Sequence, residues 1–321
     1  MDLRVKNISF SYPVAGANAA ASQITYALNN ISFALKHTSI LGIAGASGSG
    51  KSTLLNAIYG LIDLDSGDIL FNNQKVTGPS KNLVPGHPQM RLAGQFHQLQ
   101  SSIPVIEQIK YKLLKYQKEF REKKAMELLS LVGLEKYKDK LPKQLSGGQQ
   151  QMVNLSCALA EEPELLLLDE PFNNLDQSAK KKMKDYLIAL KNESGMGIIV
   201  VSHDPADLLS ISDEILVLQN GKKIGMDIPA KIFFKPSNKY VAGLFGEYNE
   251  IKTKNKTRFI RPSEIEISKT KKTGFSEAKI KNTEFHGNYF LYHVITKSQK
   301  KVTILSERKI SGEKAFIKLP K

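Results

Sequence analysis

The sequence holds one cysteine, Cys157, in 321 residues. A single thiol excludes a disulfide framework, and scarcity of cysteine fits a reducing compartment. Long apolar runs are missing too. A membrane-spanning helix needs about 20 mostly apolar residues, and the most apolar stretch, Leu165-Leu166-Leu167-Leu168, stops at Asp169 and Glu170. The first residues, Met1 to Lys6, lack the apolar core of a leader peptide and run straight into an alternating pattern. A cytoplasmic protein is therefore expected, with any membrane role reached through a partner. Acidic residues are in short supply, 31 Asp+Glu against 46 Lys+Arg, for a formal charge of +15. Hydrophobic residues still make up 41%, which supplies cores and excludes a mainly disordered chain. The length suggests two domains.

The charge surplus is uneven. Residues 247–321 carry 18 Lys+Arg against 8 Asp+Glu, whereas the first 246 carry 28 against 23. A domain boundary is expected near Gly246. A basic tail suits nucleic acid or anionic lipid. Here the lysines are spread between short apolar runs rather than packed in one block, which favours the solvated surface of a small β domain.

Val5 to Phe10 and Ile31 to Leu35 alternate as half-buried strands do. Ile40 to Ala44, Leu165 to Leu168 and Ile198 to Val201 are short continuous apolar runs, as in strands buried on both faces. Helices are expected from about Ser52 to Tyr59 and around Ala179 to Lys191. A further helical stretch covers 106–131, with Ile109, Leu113, Leu114 and Tyr116 on one apolar face. Asn72-Asn73 and Asn220-Gly221 are hairpin signals. Beyond Gly246 come short strands at Phe259, Ile265, Lys279, Tyr289 to Ile295, Val302 to Leu305 and Ala315 to Leu319. Gly274, Gly287 and Gly312 break them, as expected of a small all-β barrel-like appendage.

Gly45-Ala46-Ser47-Gly48-Ser49-Gly50-Lys51-Ser52 matches G-x-x-x-x-G-K-[ST] in full, between a buried strand and a helix. Glycines let successive N–H groups turn onto phosphates, and the helix N-terminus adds positive potential. Lys51 would reach the β- and γ-phosphates and Ser52 would hold Mg2+. Asp169-Glu170 ends a buried strand, at the edge where such sheets bind ligands. Asp169 suits Mg2+, and Glu170 could orient or deprotonate a water in line with the γ-phosphate. Leu145-Ser146-Gly147-Gly148-Gln149 could start a helix running to about Ala160, a second anion site. Physics alone gives no reason for two phosphate sites in one chain.

Together these residues resemble the ATP-binding subunits of ABC transporters. Leu145 to Gln149 reads LSGGQ, the signature of that family. Tyr12 resembles its adenine-stacking aromatic, Gln95 its Q-loop glutamine and Mg2+ ligand, Asn174-Leu175-Asp176 its D-loop and His203 its switch histidine. The resemblance extends the nucleotide-binding set to Thr53 and, through the signature and D-loop, to Ser146, Gly147, Gly148, Gln149 and Asp176. It implies an α/β P-loop NTPase (RecA-like) core with an antiparallel β subdomain and a helical signature subdomain at about 95–150. The ATP-binding domain would span 1–246. It also implies ATP and Mg2+ as cofactors. Two subunits would pair head to tail, the signature of one against the γ-phosphate held by the other, and a homodimer is the simplest choice.

Two departures stand out. Met152 and Cys157 replace arginines of the signature helix, and Asn173-Asn174 replaces small residues before the D-loop aspartate. The segment from Gly225 to Phe245-Gly246, with Arg261-Pro262-Ser263-Glu264, resembles importers carrying a TOBE-type tail, here 247–321. Such importers carry polyamines, ferric iron, thiamine, sugars or oxyanions. The expected function is ATP hydrolysis coupled to a separate permease, at the cytoplasmic face of the membrane, with an extracytoplasmic substrate-binding protein. An exporter subunit shares every ATPase motif and differs only in the tail. A soluble nucleic-acid machine with the same head draws its support from the basic tail, but the chain has neither a long heptad insert nor a second ATPase half.

Overall fold

The computed structural model describes residues 2–13, 25–36, 38–94, 99–252 and 257–320. The chain divides into two compact units, 1–229 and 230–321.

In the first unit, strands β1 (Asp2–Ser11), β2 (Tyr26–Lys36), β4 (Ser66–Phe71) and β5 (Gln74–Lys75) form an antiparallel sheet in the order β2-β1-β4-β5. A six-stranded sheet joins β3 (Ile40–Ala44), β6 (Met90–Ala93), β7 (Leu165–Asp169), β8 (Gly197–Val201), β9 (Glu214–Gln219) and β10 (Lys222–Asp227), ordered β10-β9-β3-β8-β7-β6. All its pairings are parallel except that of β10 with β9. The helices are α1 (Lys51–Tyr59), α2 (Val105–Lys112), α3 (Lys118–Leu131), α4 (Gly147–Leu159), α5 (Gln177–Ser194) and α6 (Pro205–Ile211).

Burial follows the sequence patterns. β1 alternates, as one covered face requires, while β3 and β8 are buried at every residue. Leu54, Leu55 and Ile58 of α1 share one core with Leu3, Val5 and Ile8 of β1 and with Leu165, Leu167 and Ile199 of the parallel sheet. Each such side chain contributes roughly 1.5–3 kcal/mol on burial. The Asn72-Asn73 turn has both residues at positive φ, 49° and 64°, the geometry whose twist suits a two-residue hairpin.

The helical stretch of 106–131 is two helices rather than one. Leu113 closes α2, and Gln117 is extended (ψ 154°) before α3 begins. The break rotates the register. Ile109 and Leu113 are fully buried, but Leu114 and Tyr116 are exposed, so the single apolar face expected there does not form. Leu134 and Ala125 complete the packing instead.

The second unit contains α7 (Pro229–Phe234), α8 (Lys239–Leu244), the two-stranded β11 (Asn249–Lys252) and β12 (Thr257–Ile260), and a five-stranded antiparallel sheet. That sheet is β13 (Glu266–Ser268), β14 (Ser276–Phe285), β15 (Phe290–Thr296), β16 (Lys301–Ser306) and β17 (Lys314–Lys318), ordered β13-β17-β14-β15-β16 and curled into a half-barrel. Ile260, Tyr292, Val294, Ile304 and Ile317 fill it. Asn249 acts as an extra rung, its amide bonding both the N–H and the carbonyl of Thr303 at 2.7 Å.

The contacts divide the chain after Pro229 and the composition changes near Gly246; between the two, α7 and α8 are held by Arg261. Its guanidinium, 1% exposed, donates to the carbonyls of Phe233 (2.8 Å), Ala242 (2.9 Å), Gly246 (2.9 Å) and Glu247 (3.0 Å) and lies over the Phe233 ring. A cation there answers carbonyls that the ends of two short helices leave unpaired.

Candidate functional site

Parallel strands deliver their following loops to one edge of the sheet, and four of those loops carry the residues singled out in the sequence. After β3 comes the phosphate loop. Gly45 is buried where a Cβ would lie 2.4 Å from Ser49 Oγ and 2.5 Å from the Leu218 carbonyl, so no larger residue fits. Gly50 has φ +100° and precedes α1. Ala46, Ser47 and Gly48 are exposed at the rim, and Ser49 is buried with its hydroxyl unpaired among the described residues. Lys51 donates from Nζ to the carbonyls of Gly45 (2.8 Å) and Ala46 (3.0 Å). Burial holds its pKa below the usual lysine value, against the opposing pull of Glu170 and Asp169. Thr53 Oγ1 meets Tyr12 OH at 3.1 Å, leaving the Tyr12 ring half exposed and edge-on to Phe10.

After β7 come the carboxylates. Burial raises the Asp169 pKa, with Glu170 adding to the effect, while a hydrogen bond from Ser52 and the charge of Lys51 oppose it. Its Oδ1 is buried without a hydrogen-bond partner among the described residues. An orphaned carboxylate oxygen beside a serine hydroxyl fits a hard divalent cation, which takes oxygen ligands. Glu170 is different. Its backbone sits at φ +55°, a left-handed conformation that costs a non-glycine residue about 1–2 kcal/mol. Its N–H donates to the Val201 carbonyl at 3.0 Å, and its own carbonyl accepts from Gln151 Nε2 at 3.0 Å and Asn173 N at 3.3 Å. Its Oε2 accepts from the His203 N–H at 3.1 Å and meets His203 Nδ1 at 2.8 Å. The loop after β8 thus brings His203 against Glu170. Gln95 lies outside the described residues; β6, which ends at Ala93 opposite Leu168 of β7, leads to it.

Ser146 caps α4. Its hydroxyl accepts from Gln149 N (3.3 Å) and Gln149 Oε1 accepts from Ser146 N (2.9 Å), a reciprocal capping box. Gly147 faces Asn174, and Gly148 is packed so close to the D-loop that a Cβ would meet Leu175 at 2.8 Å. Asp176 caps α5 by accepting from Ala179 N at 2.8 Å. Among the described residues, Ser146 to Gln149 make no hydrogen bond to the phosphate loop. The structure therefore gathers phosphate loop, carboxylates and His203 on one edge, and joins signature and D-loop to each other. Cys157 is buried, its thiol pushed up to about 12.

Features near the site that the sequence did not mark include β6 and the Gln151 contact. β6 is short and only partly buried, with no clean alternation. The Gln151 contact to Glu170 had one available signal. Gln149 is spent on the cap, and Gln151, two positions on, is turned about 200° around the helix to another face.

A model of the ABC transporter family matches residues 28–173. The glucose import ATP-binding protein GlcV of Saccharolobus solfataricus is 35% identical over 71% of this chain and 65% of its own length, just under two thirds. The sulfate/thiosulfate import ATP-binding protein CysA of Mesostigma viride is 35% identical over 82% of this chain and 81% of its own. The spermidine/putrescine import ATP-binding protein PotA of Mycoplasma capricolum is 34% identical over 85% and 84%. An ATP-binding cassette solved as a dimer in a post-hydrolysis state bound to ADP and Pi superposes with a TM-score of 0.62 at 29% identity, over 71% of this chain and 98% of that one. The chain belongs to the ABC transporter family, as an ATP-binding, ATP-hydrolysing subunit.

Proposed function

We propose that this subunit powers a membrane importer by ATP-driven closure of a head-to-tail dimer against a separate permease. The observation that carries the reading is the paired edge. A phosphate loop with a buried lysine stands beside one carboxylate free to take a cation and another already held by histidine.

In this reading Tyr12 stacks on adenine, and the N–H groups of Gly45 to Thr53 with Lys51 hold the phosphates. Ser52, Asp169 and Gln95 would hold Mg2+, whose charge offsets that of the β- and γ-phosphates. Glu170 accepts a proton from water as its oxygen attacks the γ-phosphorus and ADP leaves. Such general-base help is worth typically about 10²–10⁴-fold. His203 fixes the Glu170 carboxylate and reaches the γ-phosphate. Ser146 to Gln149 and Asp176 serve the nucleotide of a second copy, which answers why one chain carries two anion sites.

Import is supported by the relatives, whose names assign them glucose, sulfate/thiosulfate and spermidine/putrescine. Those cargoes differ, as expected if a permease and an extracytoplasmic substrate-binding protein select them. No helix among the described residues is long and apolar enough to cross a membrane, so attachment at the cytoplasmic face would run through the permease. Nucleic acid is disfavoured as a partner. The lysines of the tail are spread between its strands rather than packed in one block, and some are in exposed ion pairs, Lys297 and Lys314 with Glu277, Lys279 with Glu313 and Lys318 with Glu266.

The test is to purify tagged Glu170→Gln protein from detergent-solubilised membranes with ATP and identify what accompanies it. A co-purifying polytopic membrane protein supports transport. Nucleic acid or ribosomes without one would overturn it.

A further inference from the structure

We infer that Gln151 is a positioning residue for Glu170, linking the seating of the signature helix to the aim of the carboxylate. The inference rests on the reading of Glu170 as the general base. Glu170 occupies a left-handed backbone position, φ +55°, that its own chemistry does not favour, so its direction depends on what holds the peptide groups on either side. β8 holds the N–H through Val201. The carbonyl is held by Gln151 Nε2 at 3.0 Å, from the first half of α4, and by the longer 3.3 Å contact from Asn173 N.

Only a donor serves there. A carbonyl oxygen accepts, and glutamine offers an NH2 on a side chain long enough to cross from α4 to the end of β7. Gln151 lines a cleft of about 280 Å3 with Gly147, Asp169, Glu170 and Asn174, so the bond lies in the wall of that cleft. The same helix begins with the Ser146–Gln149 capping box, and Gly148 sits tight on Leu175 of the D-loop. A shift of the first turns of α4 therefore reaches Glu170 through Gln151 and through the D-loop peptide of Asn173. Catalytic groups tolerate little misplacement, about 10²-fold for 1 Å.

The experiment uses the full-length chain in four forms: unaltered, Gln151→Leu, Glu170→Gln and the double variant. Phosphate release, the dissociation constant for ATP and the melting temperature are measured for each. Gln151→Leu is expected to lower kcat at least tenfold with the ATP dissociation constant within twofold. The double variant, followed over hours, is expected to be no slower than Glu170→Gln alone. Gln151→Met, of similar length and without a donor, should match Gln151→Leu and guards against a misfolded variant. Near-normal kcat in both Gln151 variants beside an inactive Glu170→Gln would overturn the inference alone. A further proportional loss in the double variant would overturn it too, since Gln151 would then act independently of Glu170. Near-normal turnover by Glu170→Gln would instead remove the reading beneath it.

Discussion

Asp169 and Glu170 are neighbours in sequence, yet the fold treats them in opposite ways. Asp169 is buried with an oxygen left over, and its pKa is held up by that burial. Glu170 has its N–H, its carbonyl and one carboxylate oxygen engaged before any substrate is considered. A group that waits for a ligand keeps spare valence, while one that must point in one direction is tied through its peptide groups and one carboxylate oxygen, leaving the other oxygen for the proton. The phosphate loop belongs with Asp169: among the described residues Ser49 Oγ is unpaired, and Lys51 donates only to carbonyls of its own loop.

The contrast breaks most visibly at Glu170. Glu170→Gln keeps the shape and one accepting oxygen but removes the base, so turnover should fall by about 100-fold or more while ATP is still bound. Phosphate release measured beside nucleotide retention checks this, and near-normal release would remove Glu170 from the chemistry. Lys51→Ala should act on binding instead. Losing a charge-assisted bond worth about 1.5–3 kcal/mol weakens ATP by about 10–100-fold, read by titration with a fluorescent ATP analogue.

Asp169→Asn sharpens the comparison, because function and stability should move in opposite directions. The folded chain holds the Asp169 proton more tightly than the ordinary value of 3.8. The raised pKa thus contributes stability that is present below that value and lost as pH rises through the folded one. At neutral pH the charge is a burden, and Asn relieves it. Nucleotide-free Asp169→Asn should therefore melt a few degrees higher than the unaltered chain at pH 7. Its Mg2+-dependent hydrolysis should be lost, and the melting difference should shrink in acid. Scanning calorimetry across pH checks the sign. The smallest expected effect is at Cys157, farther along the signature helix. A thiol pushed up to about 12 should stay unlabelled by a thiol reagent at pH 8 in the native chain and react fully once unfolded.

Most of the residues that the structure gathers at the candidate edge could be singled out in advance because their motifs are local. The phosphate loop, Asp169-Glu170 and the Ser146-to-Gln149 helix start each lie within a few residues, with a strand or helix boundary to frame them. The Glu170–Gln151 and Glu170–His203 contacts were not, since they join residues 19 and 33 positions apart through strand order. The 106–131 stretch misled because Leu113-Leu114 and Tyr116 fit a helical period, and the break at Gln117 has no proline or glycine to announce it. Arg261 was visible as part of a motif, but its hold on α7 and α8 depends on four carbonyls that no sequence pattern marks.

The central claim is that one chain carries two half-sites that a second copy completes. The most direct measurement is the mass of purified Glu170→Gln by light scattering with ATP and Mg2+. The account predicts a particle near twice 35.7 kDa that retains unhydrolysed ATP and returns to single chains when nucleotide is removed. A particle that stays at 35.7 kDa while retaining bound ATP would contradict it.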